Sequence, residues 1–185
     1  MKNFKEKDIL ILELFKINPK EAFQLMFNTY YMPLCVYAVQ ITDSFSLSED
    51  IVQNFFCNFW EKKSYRGITS NLKAYLFYSI RNNAYYELRK RNLISLEELG
   101  DIDVPESDVI ADEEELREAV KRAMQELEKL PSQERIVVEK IVLESKRYKE
   151  AALELNISVN TVKTHLARAL KQLRKHNALW ILWFI

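Results

Sequence analysis

Apolar residues recur along most of this chain at intervals of three and four, the spacing that lines one face of a helix. Between Asp8 and Lys16 they occupy positions 9, 10, 11, 12, 14 and 15, and Pro19 interrupts before a second helical stretch over 20–41. Ser46 followed by Glu49 has the form of a capping box, and Ile51, Val52, Phe55, Phe56, Phe59 and Trp60 continue at helical spacing. Residues 65–70 read as a loop around Gly67, and 71–91 as a helix whose basic residues gather at Arg89, Lys90 and Arg91. Residues 116–130 are amphipathic, Pro131 opens a further helix over 132 to about 145, and a shorter helical pair follows.

Composition supports the same picture. Only Gly67, Gly100 and four prolines punctuate the 185 residues, which leaves little turn chemistry for hairpins, while 48% hydrophobic content suffices for buried cores. The expected fold is all-α, with two small helical domains joined by an acidic linker. The expected boundaries are 1–91, a linker over 92–115, a second domain over 116–177, and a hydrophobic tail over 178–185.

The net charge of zero hides an uneven distribution. Residues 1–91 hold 13 Lys/Arg against 9 Asp/Glu, residues 92–118 hold 1 against 11, and residues 119–185 hold 13 against 7. Two basic domains flanking an acidic connector can each approach phosphate. Cys35 and Cys57 lie in apolar helical segments without CxxC spacing and are expected to be buried free thiols, and His165 and His176 form no ligand pair with them. No metal or other cofactor is expected. The longest apolar run, 178–185, falls far short of the roughly 20 residues needed to span a bilayer, and no export signal is readable, so the expected location is the cytoplasm, not the membrane.

Three segments carry function. Residues 148–174 fit a helix-turn-helix: Ala152 is small where helices cross, Asn156 tolerates a left-handed turn, and Ser158 caps a second helix. In that helix Val162, Leu166, Ala169 and Leu173 point inward. Ser158, Asn160, Thr161, Lys163, Thr164, His165 and Arg168 are left for a major groove. Residues 48–62 form an amphipathic helix whose aromatic stripe is core, leaving Asp50, Gln53, Asn54 and Glu61 for another surface. In 71–91, basic and amide side chains alternate with Tyr75, Phe77, Tyr78, Tyr85 and Tyr86, as an unstacked single strand requires, although most of those rings are expected in the core.

In this order the segments resemble the sigma-70 family, in its short extracytoplasmic-function branch. The family's helix that binds the clamp of the polymerase β′ subunit is matched by Ser48, Glu49, Asp50, Ile51, Val52, Gln53, Phe56 and Trp60. The resemblance implies a core-polymerase contact through Asp50, Gln53, Phe56 and Trp60. It implies recognition of the minus-10 element by Asn71, Tyr75, Arg81, Asn82 and Arg89, and of the minus-35 element by Ser158, Asn160, Thr161, Lys163, Thr164 and Arg168. The second domain is matched from Leu130, Pro131 and Arg135 to Arg174. Tyr86, Ala151 and Asn156 stand where the family usually has aspartate, isoleucine and glycine, and 145–147 replace a glycine-containing loop.

The implied function is an alternative sigma factor that directs core RNA polymerase to promoter DNA under the control of an anti-sigma factor. Its acidic linker would thread through polymerase near the RNA path. The apolar tail, with Leu179, Trp180 and Trp183, is expected to complete the second domain's core, to dock across the two domains, or to mediate self-association. The competing reading is an autonomous helix-turn-helix regulator, which would not need the clamp-binding helix. An enzyme is disfavoured, because no phosphate-binding glycine loop, metal cluster or nucleophile motif is present in the sequence.

Overall fold

The computed structural model describes residues 4–91 and 113–175, with side chains from 6–91 and 120–175; the expected linker up to 112 and the tail lie outside them. Helix α1 (Phe4–Ile17) and α2 (Pro19–Thr42) meet at Asn18, whose side chain accepts from the Glu21 N–H at 3.3 Å while Pro19 takes the first helical position. α3 (Phe45–Glu61), a 3-10 turn (Ser64–Gly67) and α4 (Leu72–Lys90) complete the first unit. The second comprises α5 (Glu113–Glu128), α6 (Ser132–Val138), a π-helical segment (Glu139–Leu143), α7 (Tyr148–Glu154) and α8 (Val159–Lys175). The described residues contain no strand, in keeping with the all-α expectation.

α2 is the axis of the first unit, with α1, α3 and α4 packed around it. Met26, Tyr30, Leu34, Phe59, Leu76 and Ile80 are fully enclosed there, and Tyr37 meets Phe77 edge-on at 5.2 Å. Asp8 ties three helices together. From α1 its carboxylate accepts from the Tyr30 hydroxyl of α2 and from the Lys73 N–H at 3.0 Å, one of the unsatisfied donors at the start of α4. Burial pushes the Asp8 carboxyl above its ordinary value, against the lowering pull of those two hydrogen bonds.

Two expectations need correction. The cap of α3 is Ser44, whose hydroxyl accepts from the Leu47 N–H at 3.3 Å; the Ser46–Glu49 capping box does not form, because the helix begins one residue before Ser46. Cys35 is buried as expected, but Cys57 is exposed. One residue past Phe56, at 100° per residue, it falls on the polar side with Asp50 and Gln53.

In the second unit α8 packs on α6 and α7 through Val162, Leu166, Ala169, Leu170 and Leu173, all buried. The π-helical segment accommodates one extra residue per turn, with the Glu144 N–H bonded to the Glu139 carbonyl at 2.9 Å, and keeps Ile141 in the core. The two units touch: α8 lies against α2 and α3, and the π-helical segment against α2.

Candidate functional site

The exposed edge of α3 carries Asp50, Gln53, Asn54, Cys57 and Glu61, which fall on one side because the opposite side supplies the core stripe. Phe56, expected to contact polymerase, is only 2% exposed in the free chain and is enclosed by Phe27 at 4.9 Å and Phe23 at 5.9 Å. Trp60 is 40% exposed at the margin, tilted against Phe23 at 5.0 Å. Gln53 donates to the Tyr31 hydroxyl of α2 at 3.0 Å.

α4 turns a second surface outward. Asn71 caps it in the left-handed conformation (φ 52°), its side chain accepting from the Ala74 N–H at 3.4 Å. Most of these five rings were expected in the core, but two, Phe77 and Tyr85, are buried, whereas Tyr75, Tyr78 and Tyr86 are exposed, Tyr78 by 59% and Tyr86 by 58%. Steps of three and four place Tyr75, Tyr78, Asn82, Tyr86 and Arg89 on one exposed stripe, with the Arg81 guanidinium alongside, over the Tyr85 ring at 5.8 Å. Tyr78 and Tyr86 were absent from the expected site residues. Their helical phase, away from Leu76, Ile80 and Ala84, was the signal that marks them.

The helix-turn-helix forms as anticipated, by a defined turn. Asn156 is left-handed (φ 52°), the Ile157 N–H bonds the Ala152 carbonyl at 3.0 Å, and the Asn156 N–H bonds that of Leu153 at 3.3 Å, which together make a Schellman motif with asparagine in the glycine position. Ser158 then caps α8, accepting from the Thr161 N–H at 3.0 Å, and its hydroxyl also bonds that of Thr161 at 2.8 Å, so both hydroxyls are partly engaged in shaping the helix start. Asn160, Thr164, Arg168 and Lys171 stand exposed on one face.

Lys163 does not stand free. Its Nζ donates to Glu49 Oε2 of α3 at 3.0 Å and lies over the Tyr148 ring at 5.1 Å. The other Glu49 oxygen accepts from the Tyr31 hydroxyl at 3.3 Å, so Gln53, Tyr31, Glu49 and Lys163 form one chain of polar contacts across the two units. The Tyr148 hydroxyl is buried beside the same carboxylate without a hydrogen bond of ordinary geometry, and burial pushes both phenols well above their usual range, so both enter as neutral groups. At the far end of α8, Arg174 pairs with Asp43 and its Nε donates to the Gln40 carbonyl at 3.1 Å. Beside this junction opens a groove of about 930 Å³, walled by Phe23, Phe27, Met32 and Pro33 on one side and by Lys146, Arg147 and Tyr148 on the other.

A helical scaffold with a helix-turn-helix and a second helix bearing exposed aromatic and basic residues has the features of a nucleic-acid-binding protein of the transcription class. Residues 26–94 match Sigma-70 region 2 and residues 121–173 match Sigma-70, region 4. The chain belongs to the sigma-70 family, in the two-region arrangement of its extracytoplasmic-function members. No curated protein sequence is significantly similar to it. Among solved structures it is similar to CnrH in complex with the cytosolic domain of CnrY, at 19% identity over 92% of this chain and 96% of that one, TM-score 0.39. It is also similar to the sigma factor RpoE in complex with the anti-sigma factor NepR from Bartonella quintana, at 22% identity over 95% and 96%, TM-score 0.30. Family membership rests on the two region matches.

Proposed function

We infer that the protein is an alternative sigma factor, which binds core RNA polymerase through the exposed edge of α3 and delivers it to promoters read by α4 and α8. The observation that carries this reading is the pair of solvent faces in one chain: Tyr75, Tyr78, Asn82 and Tyr86 on α4, and Asn160, Thr164 and Arg168 on α8, each within its matched region. Exposed rings beside cations suit unstacked bases of the minus-10 element. A capped helix amino terminus with amide, hydroxyl and guanidinium side chains suits a duplex major groove at minus-35. The protein acts by binding, without catalysis of its own, in the cytoplasm where polymerase and promoter meet. Among the described residues no helix is long and apolar enough to cross a membrane. An anti-sigma factor controls it, and the groove between the units, with its rings and its Lys146, Arg147 and Lys163, supports such a partner. An autonomous regulator would leave the α3 edge and the α4 stripe without a task.

The test is run-off transcription with core polymerase over a set of genomic promoters. Sigma-dependent transcripts are expected, and the Lys163→Ala, Arg168→Ala double variant should lose those that need the upstream element. Absence of transcripts from every promoter, together with strong specific duplex binding by the chain alone, would favour the regulator instead.

A further inference from the structure

Helical phase puts Asp8 on the inward stripe of α1, one turn before Ile11 and two before Phe15, both buried. A leucine would suit that stripe, whereas a carboxylate loses its water there and needs hydrogen bonds in exchange. Asp8, 8% exposed, finds them in the Tyr30 hydroxyl of α2 and, 65 positions away, in the Lys73 N–H at 3.0 Å. Lys73 is the second residue of α4, so the start of that helix has side-chain acceptors of two kinds. Asn71 accepts from the Ala74 N–H at 3.4 Å, stabilises the turn, and moves wherever the helix moves. Asp8 belongs to another helix and therefore fixes where α4 begins. The apolar contacts of Leu72, Leu76 and Ile80 press α4 against its neighbours, but such attraction is non-directional. A hydrogen bond keeps its heavy atoms about 2.7–3.2 Å apart and fades off axis, which sets position to about 0.5 Å, the tolerance that a binding constellation requires. Asn71 and Tyr75 stand two positions either side of Lys73, about 3 Å from it along the axis.

We propose that Asp8 is a positioning residue for promoter opening. From α1 it sets the height and rotation of the first turn of α4, and with them the placement of Asn71 and Tyr75 against unstacked bases. Buried as it is, Asp8 acts through α4 and not by touching DNA. The inference rests on the reading of α4 as the minus-10 helix.

The test uses the full chain with core polymerase. Asp8→Leu combined with Tyr30→Phe removes both partners of the buried bond, so no orphaned hydroxyl remains, and it leaves the α3 edge and α8 untouched. This holoenzyme is expected to assemble with wild-type core affinity yet to open a promoter about tenfold less, read by permanganate reactivity, as when one base is poorly stacked. Tyr30→Phe alone, which keeps the acceptor for Lys73, should open the promoter within about twofold of wild type, as should Asp8→Asn, although both alter stability. Lys73→Pro deletes the N–H itself at a first-turn position where proline is tolerated, and should lose as much as the double variant; Lys73→Ala keeps the N–H and should not. A folded double variant that opens the promoter as wild type does would overturn the proposal. Equal losses in Lys73→Pro and Lys73→Ala, or in Tyr30→Phe and the double variant, would overturn it too. Should the double variant unfold, the Lys73 pair decides alone. Failure of the underlying reading shows separately, as an Asn71→Ala, Tyr75→Ala holoenzyme that opens the promoter normally.

Discussion

Asn156 offers the sharpest probe of the turn that sets α8 at its angle. It sits at φ 52° between two hydrogen bonds that end α7, the Ile157 N–H to Ala152 at 3.0 Å and its own N–H to Leu153 at 3.3 Å. Left-handed backbone costs an ordinary L-residue about 1–2 kcal/mol, asparagine less, and glycine almost nothing. Asn156→Val should therefore lose about 2 kcal/mol and Asn156→Ala about 1 kcal/mol. In Asn156→Gly the relief of strain is offset by the roughly 0.4–1 kcal/mol of extra freedom that glycine gives the unfolded chain, for a net change near zero. Thermal melts followed by circular dichroism read these values and one thing more. About 1 kcal/mol moves the midpoint by about 4–8 °C if the second unit melts alone, but by about 2–4 °C if the whole chain melts together. The valine variant should thus fall by about 8–16 °C or by about 4–8 °C, according to how strongly the junction couples the units. A valine variant as stable as wild type, or a glycine variant destabilised by more than about 1 kcal/mol, would show that the left-handed turn does not govern this site.

Other outcomes follow from the described contacts. Tyr78→Ala with Tyr86→Ala should leave helicity intact yet cut open-complex formation by about tenfold or more, since a stacked base is worth about 1–3 kcal/mol; permanganate reactivity of the promoter bubble reads the loss, and an undiminished bubble rejects the stacking role. Asp50→Ala with Gln53→Ala should weaken core-polymerase association with little change in melting, and unaltered core binding by the folded variant counts against the α3 edge. Because burial raises the Asp8 carboxyl, the folded state holds that proton to higher pH than the unfolded state, and stability falls as pH climbs from the ordinary carboxylate value of 3.8 through the raised one. Asp8→Asn can still accept from Lys73 and carries no such penalty, so in urea titrations it should gain on wild type over that interval; a constant difference between them would refute the assignment.

Much of this architecture was legible because helix phase is a local property. Val162, Leu166, Ala169 and Leu173 were placed inward by spacing alone, and the left-handed Asn156 followed from what asparagine tolerates. The same arithmetic would have exposed Cys57, where the general tendency of free cysteine to be buried misled, and it would have singled out Tyr78 and Tyr86 on α4. Phe56 was legible as core from the same stripe. The cap of α3 was missed because Ser44 and Ser46 are both capable residues, and only the path of the preceding turn chooses between them. Nothing local could pair Glu49 with Lys163, since that contact depends on how two separately built units meet.

The contacts at the junction also fix an order of events as the chain is made. Glu49 and Lys163 are 114 positions apart, and Gln40 and Arg174 are 134 apart, whereas inside the first unit the Asp8 to Lys73 hydrogen bond spans 65. Closing so long a loop carries an entropic cost that neither unit's own core requires, so each unit assembles first and the junction forms last. At a synthesis rate of about 5–20 residues per second, the first unit is complete for several seconds before Lys163 is added. During that interval a nascent chain presents its α3 edge and α4 stripe with no second unit beside them.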